Sequence, residues 1–298
     1  MDYDFTSCTL CPRECGADRT QGTGFCGGGI AAKAAKAYLH MWEEPCLSGT
    51  RGAGTVFFSG CSLKCLYCQN HRISADNFGA EISEDRLAEI FLELQEQGAH
   101  CIDLVSPTHF VPQIISALDK AKSRLTVPVV YNCGGYEKVE TLRMLEGYID
   151  VYLPDLKYID SSASEKYSGA ADYFQYASEA ISEMCRQTGK CRFNDEGIMQ
   201  KGVIVRHMIL PGLRKDSAAI MEWLAYDLPR DSFKLSLMSQ YTPCYRSCEF
   251  REINRRLSTF EYEFVLDKAV SLGLDGYMQD KSSADSGFTP DFDLTGII

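Results

Sequence analysis

Ser59-Gly60-Cys61-Ser62-Leu63-Lys64-Cys65-Leu66-Tyr67-Cys68-Gln69-Asn70 follows directly on the apolar run Thr55-Val56-Phe57-Phe58. β-Branched and aromatic residues in so short a run predict a buried strand, and the three cysteines then open the loop at its end. Their spacing is C-x3-C-x2-C. Thiolates this close in sequence can meet on one soft metal centre without help from distant chain. A [4Fe–4S] cluster ordinarily takes four cysteines. Held by three, it keeps one iron open for a substrate or cofactor, as a catalytic zinc keeps one position open. Zinc sites pair their cysteines as separated C-x2-C or Cys/His sets, which a lone C-x3-C-x2-C after a strand fits poorly.

Outward from this loop the chain alternates. Ser83 can cap a helix whose apolar face is Leu87, Ile90, Phe91 and Leu94, and Gly98 ends it. Strands are predicted at 101–105, 127–131, 149–153, 203–210 and 233–238. Helices are predicted at about 111–124, 137–146, 173–187 and 217–226. Ser258-x-x-Glu261 makes a capping box for a last helix with Val265, Ala269 and Leu272 on one face. Such alternation means parallel βαβ units, so the predicted class is α/β, an open partial (βα)6 TIM-like barrel over residues 49–298. Barrels of this kind place their chemistry at the C-terminal ends of the strands. The candidate loops are then Ser106-Pro107-Thr108-His109, Asn132-Cys133-Gly134-Gly135-Tyr136, Asp155-Leu156-Lys157, Arg206-His207 and Gln240-Tyr241.

Residues 1–48 read as a cysteine-rich N-terminal extension. Cys8, Cys11, Cys15 and Cys26 are spaced C-x2-C-x3-C-x10-C among glycines, with no core-forming apolar stretch between them. That pattern predicts a metal-nucleated knuckle, and either zinc or a second [4Fe–4S] cluster satisfies it. The alanine-rich segment 29–40 has helical propensity, although the residues from His40 to Pro45 suit the end of a strand covering the barrel mouth. Cys46, Cys101, Cys185 and Cys191 read as packing residues. Cys244 and Cys248 lie after the sixth strand and default to ordinary thiols, being too few for a complete site.

With 298 residues, 45% hydrophobic and 24% charged, the chain has an ordinary globular composition. The acidic start Met1-Asp2-Tyr3-Asp4 is no signal peptide, and no apolar run approaches the ~20 residues of a membrane helix. The expected location is the cytoplasm, where fourteen cysteines point to metal or redox chemistry rather than disulfides. A net charge of −11 counts against a nucleic-acid partner.

The loop from Cys61 to Asn70, with Tyr67 just before the third cysteine, resembles the motif of radical S-adenosylmethionine (SAM) enzymes. Together with Asn132 to Tyr136, Asp155-Leu156-Lys157, Arg206-His207 and Pro211-Gly212, it resembles the group containing pyruvate formate-lyase activating enzyme and its short uncharacterised relatives. The resemblance implies that Cys61, Cys65 and Cys68 hold a [4Fe–4S] cluster and that SAM binds its open iron. An electron from a donor such as flavodoxin or ferredoxin then gives a 5′-deoxyadenosyl radical. Tyr67 is expected beside the adenine, and Lys157 and Asp155 at the SAM carboxylate and ribose. Asn132, Arg206 and His207 are the other expected cofactor-binding residues, though His207 equally reads as a satisfied barrel histidine. Where the family has Gly-Gly-Glu to receive the SAM amino group, this chain has the loop with Thr108, whose hydroxyl would stand in. The extra cysteines precede the motif instead of following it as a ferredoxin-like insert.

The expected activity is therefore hydrogen abstraction from an unidentified substrate, with a glycyl-radical enzyme, a peptide or a small molecule as donor. Two rivals remain open on the sequence. One is a non-catalytic, zinc-stabilised binding module; the other is an iron–sulfur electron-transfer protein that leaves SAM intact.

Overall fold

The computed structural model describes residues 3–278 and 290–298. Met1 and Asp2, half of the acidic start, lie outside them. The strands in chain order are β1 (Ala32–His40), β2 (Ala53–Phe58), β3 (Ala80–Ile82), β4 (Ile102–Val105), β5 (Val129–Cys133), β6 (Val151–Pro154), β7 (Arg192–Phe193), β8 (Met199–Met208), β9 (Phe233–Met238) and β10 (Gly276–Met278). The helices are α1 (Pro45–Ser48), α2 (His71–Ser74), α3 (Glu84–Glu96), α4 (Val111–Ala121), α5 (Val139–Met144), α6 (Ser161–Ser168), α7 (Tyr173–Thr188), α8 (Arg214–Asp227) and α9 (Thr259–Ser271).

The main sheet runs β10-β9-β8-β6-β5-β4-β2-β1-β3. Every neighbour pair from β2 to β10 is parallel, while β1 and β3 add an antiparallel edge. Among the described residues its two ends, β3 and β10, do not pair, so the barrel is open there, as the strand count suggested. The outer face carries the main core. There Val56, Phe58, Leu104 and Tyr131 meet Leu87, Ile90 and Phe91 of α3 and Ile114 and Leu118 of α4. Ser83 caps α3 by accepting from the Arg86 amide, and Ser258 and Glu261 form the expected capping box on α9.

The inner face is built in layers. Ala53, Cys101, Val130, Val151, Leu153 and Ile204 form a second apolar cluster with Cys46 and Leu47. The short helix α1 is thus a plug beneath the barrel interior, and its preceding residues rise toward the strand ends.

The alanine-rich segment corrects its helical propensity. It is strand β1, paired with β2 through registers such as Ala37↔Val56 and with β3 through Ala32↔Ile82. Ala32, Ala34, Ala35 and Ala37 are all buried. Small side chains let the strand sit close against α3 and its partner strands, so packing overrides a propensity difference of under about 1 kcal/mol per residue.

Candidate functional site

The strand ends open into one cavity of about 450 Å³, with Cys65, Tyr67 and Cys68 on one wall and Asn132, Asp155, Lys157 and Arg206 on another. Backbone hydrogen bonds hold the cysteine loop in place. Gly60 N–H donates to Ile73 O at 2.8 Å, Cys61 N–H to Cys26 O at 3.1 Å, and Leu66 N–H to Tyr167 O at 2.9 Å.

Each of the three sulfurs receives a donor. Leu63 N–H lies 3.4 Å from Cys61 Sγ, Ser168 Oγ 3.0 Å from Cys65 Sγ, and Ser74 Oγ 3.3 Å from Cys68 Sγ. Behind Ser168, Tyr158 lies 3.0 Å away and meets the Tyr67 hydroxyl in turn. A thiolate can only accept. With Cys65 ionised, Ser168 therefore donates to it, Tyr158 to Ser168 and Tyr67 to Tyr158. Burial pushes the Cys68 thiol up to about 12 and raises that of Cys65, where the Lys157 cation opposes it. A metal centre that takes the proton's place is what makes thiolates available in such a pocket.

The opposite wall is an ion network. Asp155 accepts from Lys157 Nζ at 2.6 Å and from Arg206 Nε at 2.9 Å. Arg206 also donates to Asn132 Oδ1 at 2.6 Å and lies 3.5 Å from Glu43. Asn132 donates onward to Asp103 at 3.3 Å. Burial works against the Asp155 charge, but Arg206 and Lys157 outweigh it and hold the carboxyl below its ordinary range. Burial likewise works against the Lys157 ammonium, and Asp155 more than offsets it. Deeper in, burial raises Asp103 to about 7 and Glu43 well above its usual value, helped at Glu43 by Asp103. The result is a wall with fixed cations and an ionised acid at its rim and, beneath, acids that burial makes hold their protons more tightly than usual.

Asp155 and Lys157 are positioned by the turn before them. Tyr173 Oη accepts the Lys157 N–H at 3.0 Å and lies 2.7 Å from Asp155 O and 2.9 Å from Gly134 O. Gly135 adopts φ +79° directly against Asp155 O, which only a residue without a side chain allows.

Residues 55–224 match the family model described as the radical SAM superfamily. The chain belongs to that superfamily. Over 279 residues it is 30% identical to an uncharacterised protein of Methanocaldococcus jannaschii, covering 91% of this chain and 76% of that one. Among solved structures it is similar to Streptococcus suis SuiB bound to S-adenosylmethionine, at 12% identity and TM-score 0.49, over 74% of this chain. The chain spans 47% of that protein's length. It is also similar to a domain of pyruvate-formate lyase-activating enzyme from Bacteroides vulgatus, at 14% identity and TM-score 0.40, over 66% of this chain and 91% of that one.

Radical SAM membership implies a [4Fe–4S] cluster and SAM, and the donor set fits the cluster: three adjacent cysteine sulfurs, each given a hydrogen-bond donor. Among the described residues no three His, Cys, Asp or Glu side chains are arranged to hold one metal ion. Cluster thiolates each take a different iron and need not converge on one point.

Of the residues expected around SAM, Tyr67, Asn132, Asp155, Lys157 and Arg206 all line the cavity; Thr108 and His207 are not brought to it. Thr108 turns inward and donates to Glu137 at 2.7 Å. His207 sits between Leu156 O at 2.6 Å and Ser217 Oγ at 2.8 Å, and burial lowers its pKa to about 4. The carbonyl can only accept, so Nδ1 carries the proton and the neutral ring is satisfied on both sides.

Cys244 joins the cavity wall and its thiol donates to Tyr67 O at 3.2 Å, while Cys248 is exposed and the two are not bonded. Sequence reasoning missed Ser74, Tyr158 and Ser168, whose roles depend on distant sulfurs, and His40 and Glu43, which reach the cavity from below. No helix among the described residues is long and apolar enough to cross a membrane.

Proposed function

We propose that this chain is a radical SAM enzyme that reductively cleaves SAM in the cavity and uses the product to abstract hydrogen. A [4Fe–4S] cluster on Cys61, Cys65 and Cys68 supplies, when bound, the electron that breaks the SAM S–C5′ bond. The carrying observation is that two donor-supplied sulfurs, those of Cys65 and Cys68 on the Cys61–Cys68 loop, share the walls of one cavity with the Asp155–Lys157–Arg206 network.

The chain's own residues do the rest. Lys157 offers its ammonium to the SAM carboxylate, and Asp155, already ionised, accepts from ribose hydroxyls. Asn132 and Arg206 complete that polar wall, and Tyr67 offers its ring to the adenine. Phe57, Val105, Met208 and Met238 line the remainder and keep water from a reactive intermediate.

The four cysteines of residues 1–48 add a second metal site, and residues 49–298 carry the barrel's parallel strands. The electron comes from a protein donor such as a flavodoxin or ferredoxin, and a reducing cytoplasm suits thiolate-held metal. For the hydrogen donor we take a glycine of a partner protein, on the strength of the motif resemblance to activating enzymes.

The test is anaerobic reconstitution followed by dithionite and SAM. The protein should turn brown, with broad absorbance near ~400 nm, and release 5′-deoxyadenosine. Cys61→Ala should release none. An iron-loaded wild type that leaves SAM intact would make the chain an electron-transfer protein instead.

A further inference from the structure

The N-terminal extension holds a buried charge with no counter-charge. Arg19 is 1% exposed. Its guanidinium donates to Gly29 O and to His109 O at 2.6 Å, and NH1 lies 3.9 Å from Cys8 Sγ. Among the described residues no carboxylate lies within ion-pair reach of it. A cation taken out of water without an opposite charge is strongly disfavoured, so something anionic belongs beside Cys8.

The four cysteines can supply that charge. Cys8, Cys11 and Cys26 are buried and Cys15 is exposed at their edge. A Cβ placed on Gly24 would lie 3.4 Å from Cys15 Sγ and 3.6 Å from Cys26 Sγ, so those two sulfurs approach one side-chain-free point. Gly28 N–H donates to Cys26 Sγ at 3.4 Å. Four neutral thiols would leave Arg19 uncompensated. Four thiolates around a resting [4Fe–4S] cluster carry a net charge of about −2 and balance it, and unlike the ligands of a single zinc ion they need not converge on one point.

The same segment clamps the second cysteine loop. Cys26 O accepts the Cys61 N–H at 3.1 Å, and Gly27 O accepts from Asn77 Nδ2 at 3.0 Å. Arg13 donates to Ser62 O at 2.8 Å and to Ser168 O at 3.2 Å, the residue whose hydroxyl serves Cys65. Gly60, at φ +92°, has room for no Cβ because Cys26 O would lie 2.3 Å from it.

We propose that Cys8, Cys11, Cys15 and Cys26 hold a second [4Fe–4S] cluster, balanced by Arg19, whose occupancy fixes the conformation of the 61–68 loop. The loop half of this rests on the reading of Cys61, Cys65 and Cys68 as cluster ligands; the metal half does not.

The experiment uses the full chain, reconstituted anaerobically with iron and sulfide, in three forms. These are wild type, Cys8→Ser/Cys11→Ser and Cys61→Ala/Cys65→Ala/Cys68→Ala. The triple variant should retain roughly four irons per chain. The double variant should lose that complement, and amide exchange over residues 59–74 should rise at least ~10-fold while α3 and α4 stay protected. Cys15→Ser, which changes only the exposed ligand, should lower metal affinity ~10-fold or more and speaks even where the double variant does not fold. Arg19→Met should do the same and Arg19→Lys should recover it.

A triple variant devoid of metal overturns the proposal, as does loop exchange unchanged by loss of the N-terminal metal. If instead the triple variant holds as much metal as wild type, the cluster reading of the loop falls while the N-terminal centre stands.

Discussion

Ser168, the last residue of α6, places its hydroxyl 3.0 Å from Cys65 Sγ, although 103 residues separate the two in sequence. Tyr158 and Tyr67 line up behind it, so three hydroxyl protons point along one path toward that sulfur. A hydrogen bond to a cluster sulfur favours the more negative, reduced state. Ser168→Ala should therefore lower the midpoint potential by ~40 mV, the one-electron equivalent of about 1 kcal/mol. Potentiometric titration followed by electron paramagnetic resonance measures it; an unchanged potential would show that the contact is packing alone.

Lys157 is the cavity's cation with the greatest reach toward a carboxylate, since Arg206 is already divided among Asp155, Asn132 and Glu43. Lys157→Met keeps the stem and removes the charge. SAM affinity should fall ~30-fold, the equivalent of about 2 kcal/mol. Calorimetric titration of the reconstituted protein reads this directly, and an affinity within a factor of two would assign the SAM carboxylate to another residue.

Much of this site was legible because its information is local. The cysteine spacing, the apolar run before it and the Ser83 and Ser258 caps all lie within one turn or one strand. The rest depends on contacts that short windows do not contain. Strand β1 follows its partners rather than alanine's preference. Helix α6 is rich in serine and starts on the Asp160 cap, with little apolar periodicity to announce it. Thr108 and His207 stand near the right strand ends, but side-chain direction sent one to Glu137 and the other to Leu156 and Ser217. Glu43 enters the cavity from a segment that packs under the barrel, outside the residues matched to the family.

Glu137 gives a pH prediction. Burial raises its carboxyl to about 7, against hydrogen bonds from Thr108 and Tyr131 that favour the charged form. A folded-state pKa above the unfolded value of about 4.3 means that the native protein holds the proton more tightly. Stability is then highest at acidic pH, falls as pH rises from about 4 through 7, and levels above that. Glu137→Gln should remove this component. Between pH 5 and 8, wild type should lose on the order of 3 kcal/mol relative to the variant in denaturant unfolding. Parallel pH profiles would show that Glu137 ionises freely in the fold.

Gly135 and Gly147 make a matched pair for testing how Asp155 is aimed. Both adopt positive φ, +79° and +87°, so alanine at either pays the left-handed backbone penalty of roughly 1 kcal/mol. At Gly147 a Cβ meets nothing within 4 Å. At Gly135 it would lie 2.1 Å from Asp155 O and 2.8 Å from the Tyr173 hydroxyl, where backbone must move to admit it. Gly147→Ala should therefore cost only about the 1 kcal/mol of strain and leave SAM binding as it is. Gly135→Ala should cost about 3 kcal/mol or more and, by displacing the Asp155–Lys157 turn, weaken SAM binding at least ~10-fold. Equal effects of the two substitutions on SAM binding would show that the Tyr173 clamp does not set the position of Asp155.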